Sequence, residues 1–333
     1  MSEMRLRIDD PFRARLYRLI FALAAAYNIG LGLWAVLSPH GFFDLFRLAP
    51  PRYPAIWSTL GMLLGLYGLL YAYAALNLDW ARPVVAVGLA GKILGPIGWI
   101  VAVHAGELPV RTFALIAFDD IVWWLPFALF LLEGSDAGTR IRSLAPYACA
   151  VVNLLAAAAL LLVLRPGLTV ADLATRAAYV VENPLPWRLG WGTWIAAALT
   201  LVAFYGWWGA RLRNSALATV AVGIAVAGIA CDVSAESLMI GWLPADFEAT
   251  SRLATILTGG AANGLYTIAG IVLTVITPFR SARFRAWTWA VWVAGVFLSA
   301  FSLAGWIAGI AISTAVLFIL FCPWAFAMRW QLR

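Results

Sequence analysis

The chain has 333 residues, of which 64% are hydrophobic and only 12% charged; a water-soluble domain carries about a quarter of its residues as charges. Its formal net charge of +7 comes from one lysine and 22 arginines scattered between apolar runs. That pattern excludes a nucleic-acid partner and points to membrane topology. Two histidines, His40 and His104, at expected membrane edges cannot supply paired haem ligands or a histidine-rich di-iron centre. Cys149, Cys231 and Cys322 lie inside apolar runs without CxxC spacing and read as buried apolar residues. No cofactor and no metal is expected.

The polar start, Met1–Arg18, carries five arginines, and no small-residue cleavage site follows the first apolar run. A retained first helix is therefore expected rather than a signal peptide. Ten apolar spans follow at 17–38, 54–76, 83–103, 112–132, 146–164, 191–210, 217–241, 253–277, 286–305 and 308–328. The last two come from one uncharged run about twice as long as a bilayer needs, so the chain must fold back near Gly305–Gly309. The fold class is all-α: a polytopic transmembrane helix bundle of about ten spans.

A polar linker at Leu132–Pro146 divides the chain into a four-helix unit (1–143) and a six-helix unit (144–333). The latter holds a long outer loop, 165–190, with an amphipathic surface helix expected at Val170–Val181. Pro184 and Pro186 are expected to interrupt regular helix just beyond it. Arginine counts orient the bundle. With the N-terminus inside, fifteen arginines fall on inner segments and seven on outer ones, so both termini are expected in the cytoplasm of a bacterial inner membrane. No internal repeat is visible. In size and layout the first four spans resemble small DoxX-like four-helix membrane proteins.

Five ionisable residues fall inside spans: Lys92, Asp119, Asp120, Asp232 and Glu236. Charges at bilayer depth cost about 2.5–3.5 kcal/mol each on insertion scales and mark functional or paired positions. Lys92 is the only lysine, in Gly91-Lys92-Ile93-Leu94-Gly95-Pro96. The short turn after the third span makes the third and fourth antiparallel neighbours, which brings Lys92 level with Asp119 and Asp120, roughly 20 Å below that turn. An ion pair or gate is expected there. Pro96 lacks an N–H, so the Lys92 carbonyl is freed from its helical bond, and glycines 91, 95 and 98 let another helix approach closely. A retinal-type Schiff base is disfavoured, because microbial rhodopsins place that lysine in the last of seven helices.

Asp232 and Glu236 are four apart and share a face of the seventh span. Two carboxylates on one face call for a proton or a cation between them. Proton transfer or cation binding is therefore expected at Asp232 and Glu236, with Asn263, Glu182, Trp187 and Trp123 lining a substrate. Aromatic clusters (Tyr67, Tyr71, Tyr73; Trp123, Trp124; Tyr205, Trp207, Trp208) suit a flat or isoprenoid-like ligand. Three functions fit: a proton-coupled or small-molecule permease with a charged site between the helix groups, a membrane enzyme on a lipid or isoprenoid, or a non-catalytic subunit holding lipid or pigment. Expected partners are membrane lipids, a small cationic or apolar substrate, and other subunits or copies of the chain.

Overall fold

A computed structural model describes residues 8–169, 172–243 and 246–332. Among these, every regular element is helical, and ten helices are long and apolar enough to cross a bilayer. They are α1 (Pro11–Leu37), α2 (Pro54–Leu76), α3 (Arg82–His104), α4 (Val110–Leu131), α5 (Ala145–Leu168), α6 (Pro184–Gly209), α7 (Ser215–Gly241), α8 (Phe247–Val275), α9 (Ala282–Ala304) and α10 (Ile307–Gln331). Residues 1–7 of the polar start, and Arg333, lie outside the described residues.

Large aliphatic side chains stand open along many of these helices, Leu63, Leu66, Val87, Ile100 and Leu162 among them. In water such surface would drive association; in hydrocarbon it costs nothing. The protein is integral to a membrane.

Local chemistry sets the helix ends. Asp10 caps α1 by accepting from the Phe12 and Arg13 N–H groups, and Pro11 occupies the first turn, where its missing donor is not needed. The fold-back between α9 and α10 falls at Gly305, whose φ of +69° is the left-handed cap glycine tolerates best. The segment expected as the outer loop, 165–190, is more helical than expected. Helix continues through Leu168, a separate helix covers Leu173–Glu182 with Asp172 as its cap, and α6 begins at once with Pro184. Pro184 and Pro186 both fall in the first turn of α6, where no intrahelical acceptor awaits an N–H, so neither breaks it. The start of the expected surface helix, Val170 and Ala171, lies outside the described residues.

The helices form two compact units, Met1–Thr139 and Arg140–Arg333. In the first, α1 and α2 pack backbone to backbone. A Cβ on Gly32 would lie 2.5 Å from the Gly61 carbonyl oxygen, and one on Gly68 2.8 Å from the Ile29 nitrogen. Small residues let transmembrane helices approach this closely. Below that contact, Tyr17, Phe21, Tyr71, Phe127 and Phe130 interlock, mostly edge to face. In the second unit, indole N–H groups are repeatedly tied to threonine hydroxyls: Trp208 to Thr277, Trp292 to Thr274 and Trp324 to Thr288, at 2.7–2.9 Å.

Candidate functional site

Buried polar side chains cluster in both units. In the first, Lys92 sits on the inward stripe of α3 formed by Val85, Gly88, Lys92 and Pro96. Its ammonium is 3.5 Å from Asp119 Oδ1 and donates to the Asp119 carbonyl. That carbonyl is available because α4 widens to a π-helical turn at Ala117–Ile121, which disturbs the regular backbone ladder. The rings of Tyr71 and Trp123 lie 5.9 and 6.0 Å from the ammonium, within cation–π range.

The carbonyl freed by Pro96 has a specific partner: Trp124 Nε1 donates to the Lys92 oxygen at 2.8 Å. Trp123 Nε1 instead donates to the Phe118 carbonyl within α4. Asp120 is buried against Gly95, where a Cβ would stand 2.5 Å from its Oδ2. Gly91 and Gly98 face open space, so of the three glycines only Gly95 serves close approach. Lys92 and Asp119 thus form the buried pair, with the second carboxylate beside them.

A further buried ion pair in this unit had little signal in sequence. Glu133, 4% exposed, accepts from Arg13 and from the Tyr17 hydroxyl, and its carbonyl accepts from Arg82. This cluster joins α1, α3 and the end of α4. Glu133 reads as a linker residue because it follows the last apolar position of its span.

In the second unit, Asp232 and Glu236 both point inward from α7, at 6% and 0% exposure. The hydroxyls of Thr258 and Tyr266 donate to Asp232 Oδ1 and Oδ2, at 2.5 and 3.0 Å. Thr258 belongs to a second π-helical segment, Ile256–Ala262 in α8, which contains the Gly259-Gly260 pair. Those glycines admit α9 closely, with Ser302 Oγ against Gly259 and Leu303 against Gly260. Neither oxygen of Glu236 has a hydrogen-bond partner among the described residues. An isolated carboxylate so placed carries a desolvation penalty of several kcal/mol, so Glu236 needs a proton or an arriving cation.

Asp232, Thr258 and Tyr266 border a cavity of about 210 Å³ within this unit. Trp191, Trp194 and Tyr205 supply aromatic lining from α6. Register follows from one bond: Trp187 Nε1 donates to the Met239 carbonyl at 2.8 Å, fixing α6 against α7. Seven residues inward along each helix, about 10 Å, lie Trp194 and Asp232, which therefore face the cavity at one depth.

The residues expected to line a substrate are dispersed. Asn263 borders the cavity while its amide donates to the Gly295 carbonyl and Ser299, pinning α8 to α9. Trp187 is buried one turn outward of Trp191. Glu182 is exposed at the end of its short helix, and Trp123 belongs to the first unit. Of the aromatic clusters, Tyr205 borders the cavity, Tyr71 lies beside Lys92, and Trp207 carries the Arg211 guanidinium on its face at 4.0 Å.

What these arrangements can do follows from charge. The first unit's pair holds a cation already. The second unit offers two buried carboxylates, donors arranged for one of them, and adjoining space. Compared with protein-family profiles, curated proteins and solved structures, the chain matches none.

Proposed function

We propose that this protein is a permease of a bacterial inner membrane that exchanges a proton for a small organic cation at Asp232. The observation carrying this reading is the Asp232 carboxylate at the wall of an aromatic cavity, one helical turn from a second, partnerless carboxylate. Without a cation, the charge on Asp232 is held off by a bound proton. When a cation enters, the proton leaves, and the Thr258 and Tyr266 hydroxyls stabilise the anion that remains. Glu236 lies about 6 Å along α7 toward Gly241. It relays the proton, losing its own outward as it takes the one from Asp232.

The arginine asymmetry supports an orientation with the Gly241 end of α7 outside; in it the carboxylates occupy the outer half of the membrane and exchange with that side. The Lys92–Asp119 pair, already neutral, acts as a structural pin or gate in the first unit. The surrounding partners are membrane lipids, with other copies or subunits compatible with the exposed apolar faces.

A second reading is supported by the same cavity: an enzyme acting on a lipid or isoprenoid, with Asp232 as acid. Transport separates the two. Proteoliposomes with an acidic lumen are expected to accumulate phenethyltrimethylammonium, a permanent cation, and Asp232→Asn proteoliposomes are expected not to. Unchanged uptake by a monodisperse Asp232→Asn protein would remove the permease assignment.

A further inference from the structure

The part of the cavity lining supplied by α6 has an unmet chemical need. Elsewhere in the second unit most buried or half-buried indoles find acceptors: Trp187 at Met239, Trp208 at Thr277, Trp287 at Leu320, Trp292 at Thr274 and Trp324 at Thr288. Trp191 and Trp194, which border the cavity, do not: both Nε1 atoms are buried and lack a partner among the described residues. Ser302, also at the cavity and 1% exposed, has a buried hydroxyl without a partner. Trp207 shares the condition away from the cavity, where its ring serves Arg211. A buried donor left without an acceptor is destabilising, so two such indoles and a hydroxyl around one space describe a site awaiting an acceptor.

Trp194 and Asp232 share a depth on facing helices, so the polar needs of the cavity are two-sided: negative at α7, donor-rich at α6. Between them the lining is aromatic and aliphatic, Tyr205, Trp292 and Leu201 included. Aromatic faces favour a cation, above all a quaternary ammonium, and a flat apolar body.

We infer that the cavity binds a flat amphiphilic cation carrying a hydrogen-bond acceptor, such as an ether or carbonyl oxygen, at the end remote from its charge. Its nitrogen lies toward Asp232 and its acceptor receives the N–H of Trp191 or Trp194. This rests on the cation-exchange reading of Asp232 and adds the substrate's second pole.

The test uses three probes on the purified full-length protein, by calorimetry: phenethyltrimethylammonium, its 4-methoxy derivative, and 4-methoxyphenethyl alcohol. The methoxy cation is expected to bind about fivefold more tightly than the plain one, the worth of one net hydrogen bond. In the Trp191→Phe/Trp194→Phe protein, which keeps an aromatic ring at each position, that ratio falls to about one, whatever the affinity for the plain cation. Asp232→Asn is expected to weaken both cations at least about tenfold and leave the alcohol unchanged. Should the double change disturb packing, each single Phe variant serves, and a partial loss of the ratio in either one supports the inference. A ratio of one in the unaltered protein, or a ratio that survives loss of both indole N–H groups, overturns the inference alone. Cation binding indifferent to Asp232→Asn overturns the exchange reading beneath it.

Discussion

Lys92→Met removes the only lysine while keeping most of the side chain's volume. Its ammonium stands 3.5 Å from Asp119 Oδ1, with the two side chains 5% and 21% exposed. At an effective dielectric of about 20, the attraction is 332/(20 × 3.5), about 5 kcal/mol, most of it offset by the desolvation both groups suffer on burial. The intact pair is thus worth little net. Losing one member is different, because Asp119 keeps its desolvation penalty without the compensating attraction, and its carbonyl loses the donor that served the π-helical turn. Breaking a buried pair costs about 3–5 kcal/mol. We expect Lys92→Met to lower the unfolding free energy by about 3 kcal/mol, measured by SDS titration in mixed micelles. Lys92→Met/Asp119→Asn is expected within about 1 kcal/mol of the unaltered protein, since it removes both charges. A neutral Lys92→Met, or a double variant worse than the single, would refute the buried-pair argument.

Two further perturbations probe the same centre. Gly95→Ala puts a Cβ 2.5 Å from Asp120 Oδ2 and is expected to destabilise by about 1–3 kcal/mol, whereas Gly98→Ala, facing open space, is expected to be neutral or slightly stabilising; equal effects in the SDS titration would contradict the packing. Trp124→Phe leaves the Lys92 carbonyl without its donor and is expected to cost about 1 kcal/mol. In a Pro96→Ala background the restored backbone N–H takes that carbonyl, so the same change should cost almost nothing; additive costs in that cycle would dismiss the compensation.

Sequence periodicity made the bundle legible because bilayer thickness demands long apolar runs, and arginines and glycines punctuate them. It also brought Lys92 to Asp119, since a short turn between antiparallel spans fixes relative depth. Asp232 and Glu236 were visible for the same reason: charge stands out against a hydrocarbon background. Their partners were not. Thr258 and Tyr266 are uncharged and lie on another helix, Thr258 in a π-helical segment that no residue pattern marks. Nothing in the sequence marked Trp191 and Trp194 as cavity residues, because a tryptophan at a membrane edge and one lining a cavity look alike in sequence. The α6 start was misjudged because prolines were weighed as breakers, whereas in a first turn they are neutral.

The central claim is that a cation entering the second unit displaces a proton from Asp232. Proton release on binding measures this directly, with a pH indicator dye in weakly buffered detergent solution while phenethyltrimethylammonium is added. The account predicts close to one proton released per cation bound, and no release from Asp232→Asn. Saturable binding with no proton released, or the same release from Asp232→Asn, would contradict it.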